Sequence, residues 1–210
     1  MQSELLARAL SGISSETTAE EFMIRANIRS KPVAENVLNF LHNNGIGTSS
    51  ASKILFSNAD RLKIAILAIK MGCDIEQISK KLTWRDFEAL TSKILKLSGY
   101  NTAVHVTFSK PRMEIDVVGM KSQLAITVDC KHWNHGSISM PSFYVRRQIE
   151  RTKILLVKGS NISYAIPIIL TLHSTTVRLI NGTPIVPITQ FKSFLDGLED
   201  HLLEVNVLYK

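Results

Sequence analysis

Cysteine is nearly absent from this chain. Cys73 and Cys130 are the two among 210 residues, and they form neither a disulfide framework nor a metal spacing. A disulfide scaffold is excluded, and the usage suits a reducing compartment. Long apolar runs are missing too. The longest, around Tyr164–Leu172, is strand-sized and interrupted by Pro167, well short of the roughly 20 residues a spanning helix needs. The N-terminus mixes Glu4 and Arg8 with leucines, unlike a secretory leader. These absences give the expectation of a cytoplasmic protein with no membrane partner. No internal repeat or low-complexity linker is visible. His132 and His135 lack the Cys/His spacing of a zinc site, and as loop histidines they are expected to contact phosphate or solvent.

What is present is an ordinary globular composition, 45% hydrophobic and 20% charged, long enough for one large or two small domains. The net charge is +7, and its distribution is uneven. Between Tyr100 and Ser160 nine Lys and Arg stand against four acids, a local net charge of +5. A polyanion such as nucleic acid is the natural partner of such a segment. Charge alone divides evenly between that reading and an unremarkable soluble surface.

The first 82 residues read as helices: Ser3–Leu10, Thr17–Ile28, a firmer one opened by Ser30 and Pro32, and Asn58–Met71 ending at Gly72. Asp74 with Gln77 makes a capping pattern for a short helix at Ile75–Leu82. Thr48 is expected to cap another helix, whose first turn (Thr48, Ser49, Ser50, Ser52, Lys53) would approach a phosphate backbone or simply be solvated. This order resembles a helix-turn-helix or winged-helix module, so residues 1–82 are expected to form a helical domain that binds DNA or a protein.

From Thr83 the period changes. A capped helix with Phe87, Leu90, Ile94 and Leu97 on one face runs to Gly99. Three strands come next, Ala103–Phe108, Met113–Val118 and Leu124–Cys130, with a basic turn at Ser109–Arg112. A polar loop, Trp133–Met140, leads to a helix at Ser142–Leu156 carrying Arg146, Arg147, Gln148 and Arg151. Trp133 is expected to pack rather than stack on a base. Strands at Tyr164–Leu170, Thr176–Ile180 and Ile185–Ile188 and a closing helix, Gln190–Leu203, complete residues 83–210. That order predicts an α/β/α sandwich around a small mixed sheet.

Three polar groups interrupt the apolar strands: Asp116, Asp129 and Lys131. Alternation puts Asp129 and Lys131 on one face, and strand pairing would bring Asp116 within reach. A lone Asp-x-Lys is most often a salt bridge at a strand end. The isolated Asp116, the glutamate Glu88 on the preceding helix and the surrounding bases shift the balance toward chemistry. Two carboxylates suit Mg²⁺, an oxygen-seeking ion that keeps open positions for water and phosphate. A metal so held activates water for phosphodiester hydrolysis, and a nearby ammonium stabilises the charge that grows on phosphorus. Asp116 and Asp129 are the expected ligands, the Cys130 carbonyl a third, and Lys131 the catalytic lysine, with Mn²⁺ an alternative ion. Glu114, two residues before Asp116, is expected to be an exposed partner of Arg112.

These residues resemble the PD-(D/E)xK nucleases, and within them the Mrr-like restriction endonuclease and archaeal resolvase branch. The resemblance runs from Leu82 to Leu203 through Trp84-Arg85-Asp86-Phe87-Glu88, Ser98-Gly99-Tyr100, Glu114-Ile115-Asp116-Val117-Val118 and Asp129-Cys130-Lys131-His132-Trp133. It implies a restriction-endonuclease-like fold, with Asp116, Asp129 and Lys131 at the metal-binding and catalytic positions and Glu88 in support. Gln148 matches a position that makes polar contacts near the site. Ile115 stands where the family's proline would be, and Asp129 is shorter than the more frequent glutamate. The resemblance implies a metal-dependent DNA endonuclease working as a homodimer, since two sites are needed to cut a duplex. Lys110, Arg112, Arg146, Arg147, Gln148 and Arg151 would contact the nucleic acid. Two alternatives stay open: a non-catalytic nucleic-acid-binding protein on the same fold, and an RNA-processing endonuclease.

Overall fold

The computed structural model describes residues 3–50, 52–131, 141–172 and 177–210. The expected polar loop at Trp133–Met140, with Trp133 and His135, and neighbouring His132 lie outside the described residues. Two compact units divide the chain, Met1–Asp86 and Phe87–Lys210.

The first unit runs α1 (Ser3–Gly12), β1 (Glu16–Thr17), α2 (Ala19–Arg25), α3 (Lys31–Asn43), β2 (Thr48–Ser50), β3 (Lys53–Leu55), α4 (Asn58–Lys70) and α5 (Ile75–Ser79). The three short strands form an antiparallel sheet in the order β1-β3-β2. This is the order of a winged helix, with β2 and β3 as the wing. Thr18 caps α2 through a reciprocal capping box with Glu21, satisfying donors that the first turn leaves open. The expectation of a helix starting at Thr48 is corrected: Thr48 to Leu55 is a hairpin. Ile54 is half-buried and Phe56 buried, with exposed Lys53 and Leu55 beside them, a period of two that suits a strand and offers no helical stripe. Gly45 and Gly47, at φ 71° and 78°, turn the chain into the hairpin with a backbone that other residues adopt at a cost.

The second unit takes in most of α6 (Trp84–Leu97), then β4 (Asn101–Ser109), β5 (Arg112–Lys121), β6 (Leu124–Lys131), α7 (Pro141–Lys158), β7 (Tyr164–Thr171), β8 (Leu179–Ile180), β9 (Thr183–Pro187), α8 (Ile188–Asp196), a 3-10 turn at Leu198–His201, and β10 (Leu208–Tyr209). Its mixed sheet has the order β4-β5-β6-β7-β9-β8, with β10 beside β7. β4, β5 and β6 form an antiparallel meander, and β7 lies parallel to β6, so α7 belongs to the crossover between them. Thr83 and Asp86 cap α6 reciprocally, and Gly99 ends it at φ 86°. The buried stripe of α6 is Phe87, Leu90, Ile94 and Leu95, whereas Leu97 is 63% exposed, correcting its expected place on the core face. A Cβ on Gly119 of β5 would lie 3.0 Å from Leu95, so this glycine lets α6 approach the sheet closely. The expected closing helix breaks at Gly197 into α8 and the 3-10 turn, and Ile188 begins α8 rather than ending a strand.

Side chains on β6 show which helix covers which face. The Thr91 hydroxyl of α6 meets the Cys130 thiol at 3.6 Å, while Arg151 of α7 reaches the adjacent Asp129. Successive residues face opposite ways along a strand, so α6 and α7 cover opposite faces. The fold is the expected restriction-endonuclease-like α/β arrangement.

Candidate active site

The β5–β6 ladder stops at the pair Val117–Val128. Continuing that register sets Asp116 opposite Asp129, where the two strands part. The Cys130 N–H, which would have extended the ladder, donates instead to Asp116 Oδ2 at 2.8 Å. Burial, with the nearby Asp129 carboxylate second, pushes the Asp116 carboxyl up to about 6. That second cause is the electrostatic trace of two carboxylates sharing one site.

Asp129 is 1% exposed and holds two cations. Arg151 donates from Nη1 to Oδ1 at 2.7 Å, and Lys131 Nζ stands 2.7 Å from Oδ2. A carboxylate so buried needs such partners. Lys131 also lies over the Tyr144 ring, 5.1 Å from its centroid. Tyr144, Gln148 and Arg151 come from one face of α7, at the i, i+4, i+7 spacing of a helix. Gln148 is fully buried, and among the described residues neither polar atom of its side chain has a hydrogen-bond partner.

His105 carries no sequence motif, so a reading of the sequence passes over it. Its φ is 52°, and it sits where the β4–β5 ladder skips the pair opposite Asp116, between Val104–Val117 and Val106–Ile115. Its Nδ1 faces Glu114 Oε1 at 2.9 Å, and its Nε2 faces Glu88 Oε2 at 3.4 Å. Glu114 therefore pairs with His105 and not with Arg112, correcting that expectation. Glu88, 2% exposed, reaches this cluster from α6. The signal available in the sequence is a histidine set between Val104 and Val106 of this strand.

Residues 79–161 match the Mrr catalytic-domain family, described as a restriction endonuclease. Over these residues the chain is similar to an Mrr-type restriction-endonuclease domain. The match takes in Glu88, His105, Asp116, Asp129, Lys131 and Arg151. The chain is also similar to an uncharacterized protein of Archaeoglobus fulgidus, 26% identical over 134 residues, which are 60% of this chain and 100% of that protein. Among solved structures it overlaps protein VC1899 from Vibrio cholerae with a TM-score of 0.41 and 11% identity, over 96% of this chain and 51% of that one. It overlaps Can2 from Sulfobacillus thermosulfidooxidans in complex with cyclic tetra-adenylate with a TM-score of 0.37 and 14% identity, over 97% of this chain and 50% of that one. The chain spans about half the length of each, and likeness at these scores says nothing of its activity.

Beside this cluster lies an open groove of about 720 Å³, lined by Thr107, Phe108, Ser109, Arg112, Met113, Glu114, Arg147 and Arg151. Three guanidiniums against one carboxylate make it a place for an anion. Lys110 is exposed at the β4–β5 turn, where its carbonyl accepts from Lys158 Nζ at 3.0 Å. Arg146 is exposed on α7 and is not among the groove's lining residues. No helix among the described residues is long and apolar enough to cross a membrane.

Proposed function

We propose that this nuclease domain hydrolyses phosphodiester bonds in DNA with a divalent metal, Mg²⁺ or Mn²⁺, bound between Asp116 and Asp129. The observation that carries the reading is the meeting of two carboxylates, one ammonium and one guanidinium where β5 and β6 part. The residues fit the ion. Asp116 and Asp129 offer oxygen ligands from facing strand positions, and the Cys130 carbonyl is a third. A hard ion held by so few protein oxygens keeps several water ligands. The orphaned Gln148 amide, buried on the α7 side, is a further polar group awaiting a partner.

A divalent ion held there supplies a water of lowered pKa and neutralises charge on the phosphoryl oxygens. The protein supplies the rest. Lys131, steadied by Asp129 and the Tyr144 ring, orients the attacking water and meets the charge that develops on phosphorus. Arg112 and Arg147 grip the backbone of the strand being cut, with Lys110 and Arg146 as outer contacts. Glu88 and His105 fix the β4–β5 side of the site. Cutting both strands of a duplex takes two such sites, so the working form is a homodimer.

Purified protein incubated with duplex DNA, branched DNA and single-stranded RNA, in Mg²⁺, Mn²⁺ or EDTA, tests this. Metal-dependent DNA cleavage that falls at least about 100-fold in Asp129→Asn and Lys131→Met, with binding retained, is expected. Undiminished cleavage in both variants would overturn the site, and preference for RNA would move the substrate to the RNA-processing reading. Binding with no cleavage in any metal would favour the non-catalytic one.

A further inference from the structure

Both oxygens of Asp129 are engaged by the protein's own cations, Arg151 on Oδ1 and Lys131 on Oδ2, each at 2.7 Å. Each oxygen keeps a further lone pair, but a divalent ion brought to this carboxylate is repelled by both cations and competes with them for its charge. The two are not equally free to leave. Lys131 sits two residues along the same strand, under the Tyr144 ring. Arg151 reaches in from α7 on a long side chain, and it also lines the anion groove beside Arg112 and Arg147. Its Nε is buried and has no hydrogen-bond partner among the described residues.

We propose that Arg151 couples the two ligands of this site: it occupies Asp129 while the groove is empty, and turns to a phosphodiester when a strand enters, freeing Oδ1 for the metal. The inference rests on the nuclease reading above. Arg151 is then a positioning residue acting through Asp129. A guanidinium suits the exchange because its fork satisfies carboxylate and phosphate oxygens with the same geometry. Each ligand removes a cost borne by the other, so the effect is reciprocal: nucleic acid tightens metal binding, and metal tightens nucleic-acid binding. Metal would thus be recruited chiefly when substrate is present.

The test is equilibrium Mn²⁺ binding to the full chain, followed by electron paramagnetic resonance, with and without a hydrolysis-resistant phosphorothioate hexathymidylate. In the wild type the oligonucleotide is expected to tighten Mn²⁺ by about tenfold or more. Arg151→Gln is expected to bind Mn²⁺ alone about tenfold more tightly and to lose most of that coupling. Arg147→Gln removes the same charge from the groove without touching Asp129. It should weaken the oligonucleotide and leave Mn²⁺ affinity within about twofold, a control for general charge effects. Should Arg151→Gln not fold, Arg151→Lys against Arg147→Lys gives the same comparison, with a smaller tightening of about threefold.

An Arg151 variant that binds Mn²⁺ no more tightly than its Arg147 counterpart, or keeps the full coupling, overturns the proposal. Asp129→Asn separates the two levels. If it binds Mn²⁺ like the wild type, the metal site of the nuclease reading is wrong. If it loses Mn²⁺ while the Arg151 and Arg147 variants behave alike, only the coupling role falls.

Discussion

Cys130 donates its backbone N–H to the side chain of Asp116 at 2.8 Å. A hydrogen bond that would have continued the β5–β6 ladder is spent on a carboxylate, and the strands part there. Beyond that point β6 remains anchored on its other side to β7 through Lys131. The site is thus a controlled end to strand pairing.

Asp116 should make the stability of the second unit depend on pH. Its carboxyl is raised from an ordinary 3.8 to about 6 by burial and by Asp129. The fold therefore favours its protonated form, and the associated stability is present below about pH 4 and lost as pH rises through about 6. Asp116→Asn keeps an acceptor for the Cys130 N–H without the charge. In metal-free protein it is expected to be more stable than the wild type by about 3 kcal/mol at pH 8, with the difference vanishing near pH 4. Urea denaturation at the two pH values measures this. Mn²⁺ affinity of the wild type should rise through about pH 6, because ligation needs the ionised form. A pH-independent affinity would contradict it.

Lys131 Nζ lies over the face of the Tyr144 ring. Tyr144→Phe should cleave as the wild type does, whereas Tyr144→Leu should lose about three- to tenfold in cleavage rate, in line with a cation–π contact of about 1 kcal/mol. Oligonucleotide affinity should stay unchanged in both. Equal losses in the Phe and Leu variants would show that the hydroxyl matters instead.

His105 and Glu88 should behave as a unit. His105→Ala removes a partner from a buried carboxylate and leaves a side chain at φ 52°. A loss of about 2 kcal/mol is expected. Adding Glu88→Gln should return part of it, and His105→Gly, which tolerates the backbone, should cost less than His105→Ala. Strictly additive effects in the double variant would refute the pairing.

Arg112 and Arg147 should grip phosphate without reading bases. Alanine at either is expected to weaken oligonucleotide binding similarly for all sequences and to reduce the slope of log affinity against log salt by about 1 each. Fluorescence anisotropy at several salt concentrations checks it, and an unchanged slope would remove that residue from the interface.

Much of this protein is legible along the chain. Apolar periodicity, capping residues such as Thr83 and Asp74, and glycines such as Gly99 act locally, so helices and strands can be read from neighbours alone. The misplacement of Asp116, Asp129 and Lys131 in apolar strands is likewise a local anomaly, and it points to the site. Thr48–Leu55 escapes a local reading because its strand character depends on pairing with Glu16 and Thr17, more than thirty residues away. Other features belong to tertiary structure alone. Register decides that Asp116 faces Asp129, a crossover brings Arg151 of α7 to a carboxylate on β6, and a break in the β4–β5 ladder sets His105 between Glu88 and Glu114. Each depends on distances between segments remote in sequence, which periodicity cannot encode. Local chemistry settles which side chains carry the charge; only the folded sheet decides which charges meet.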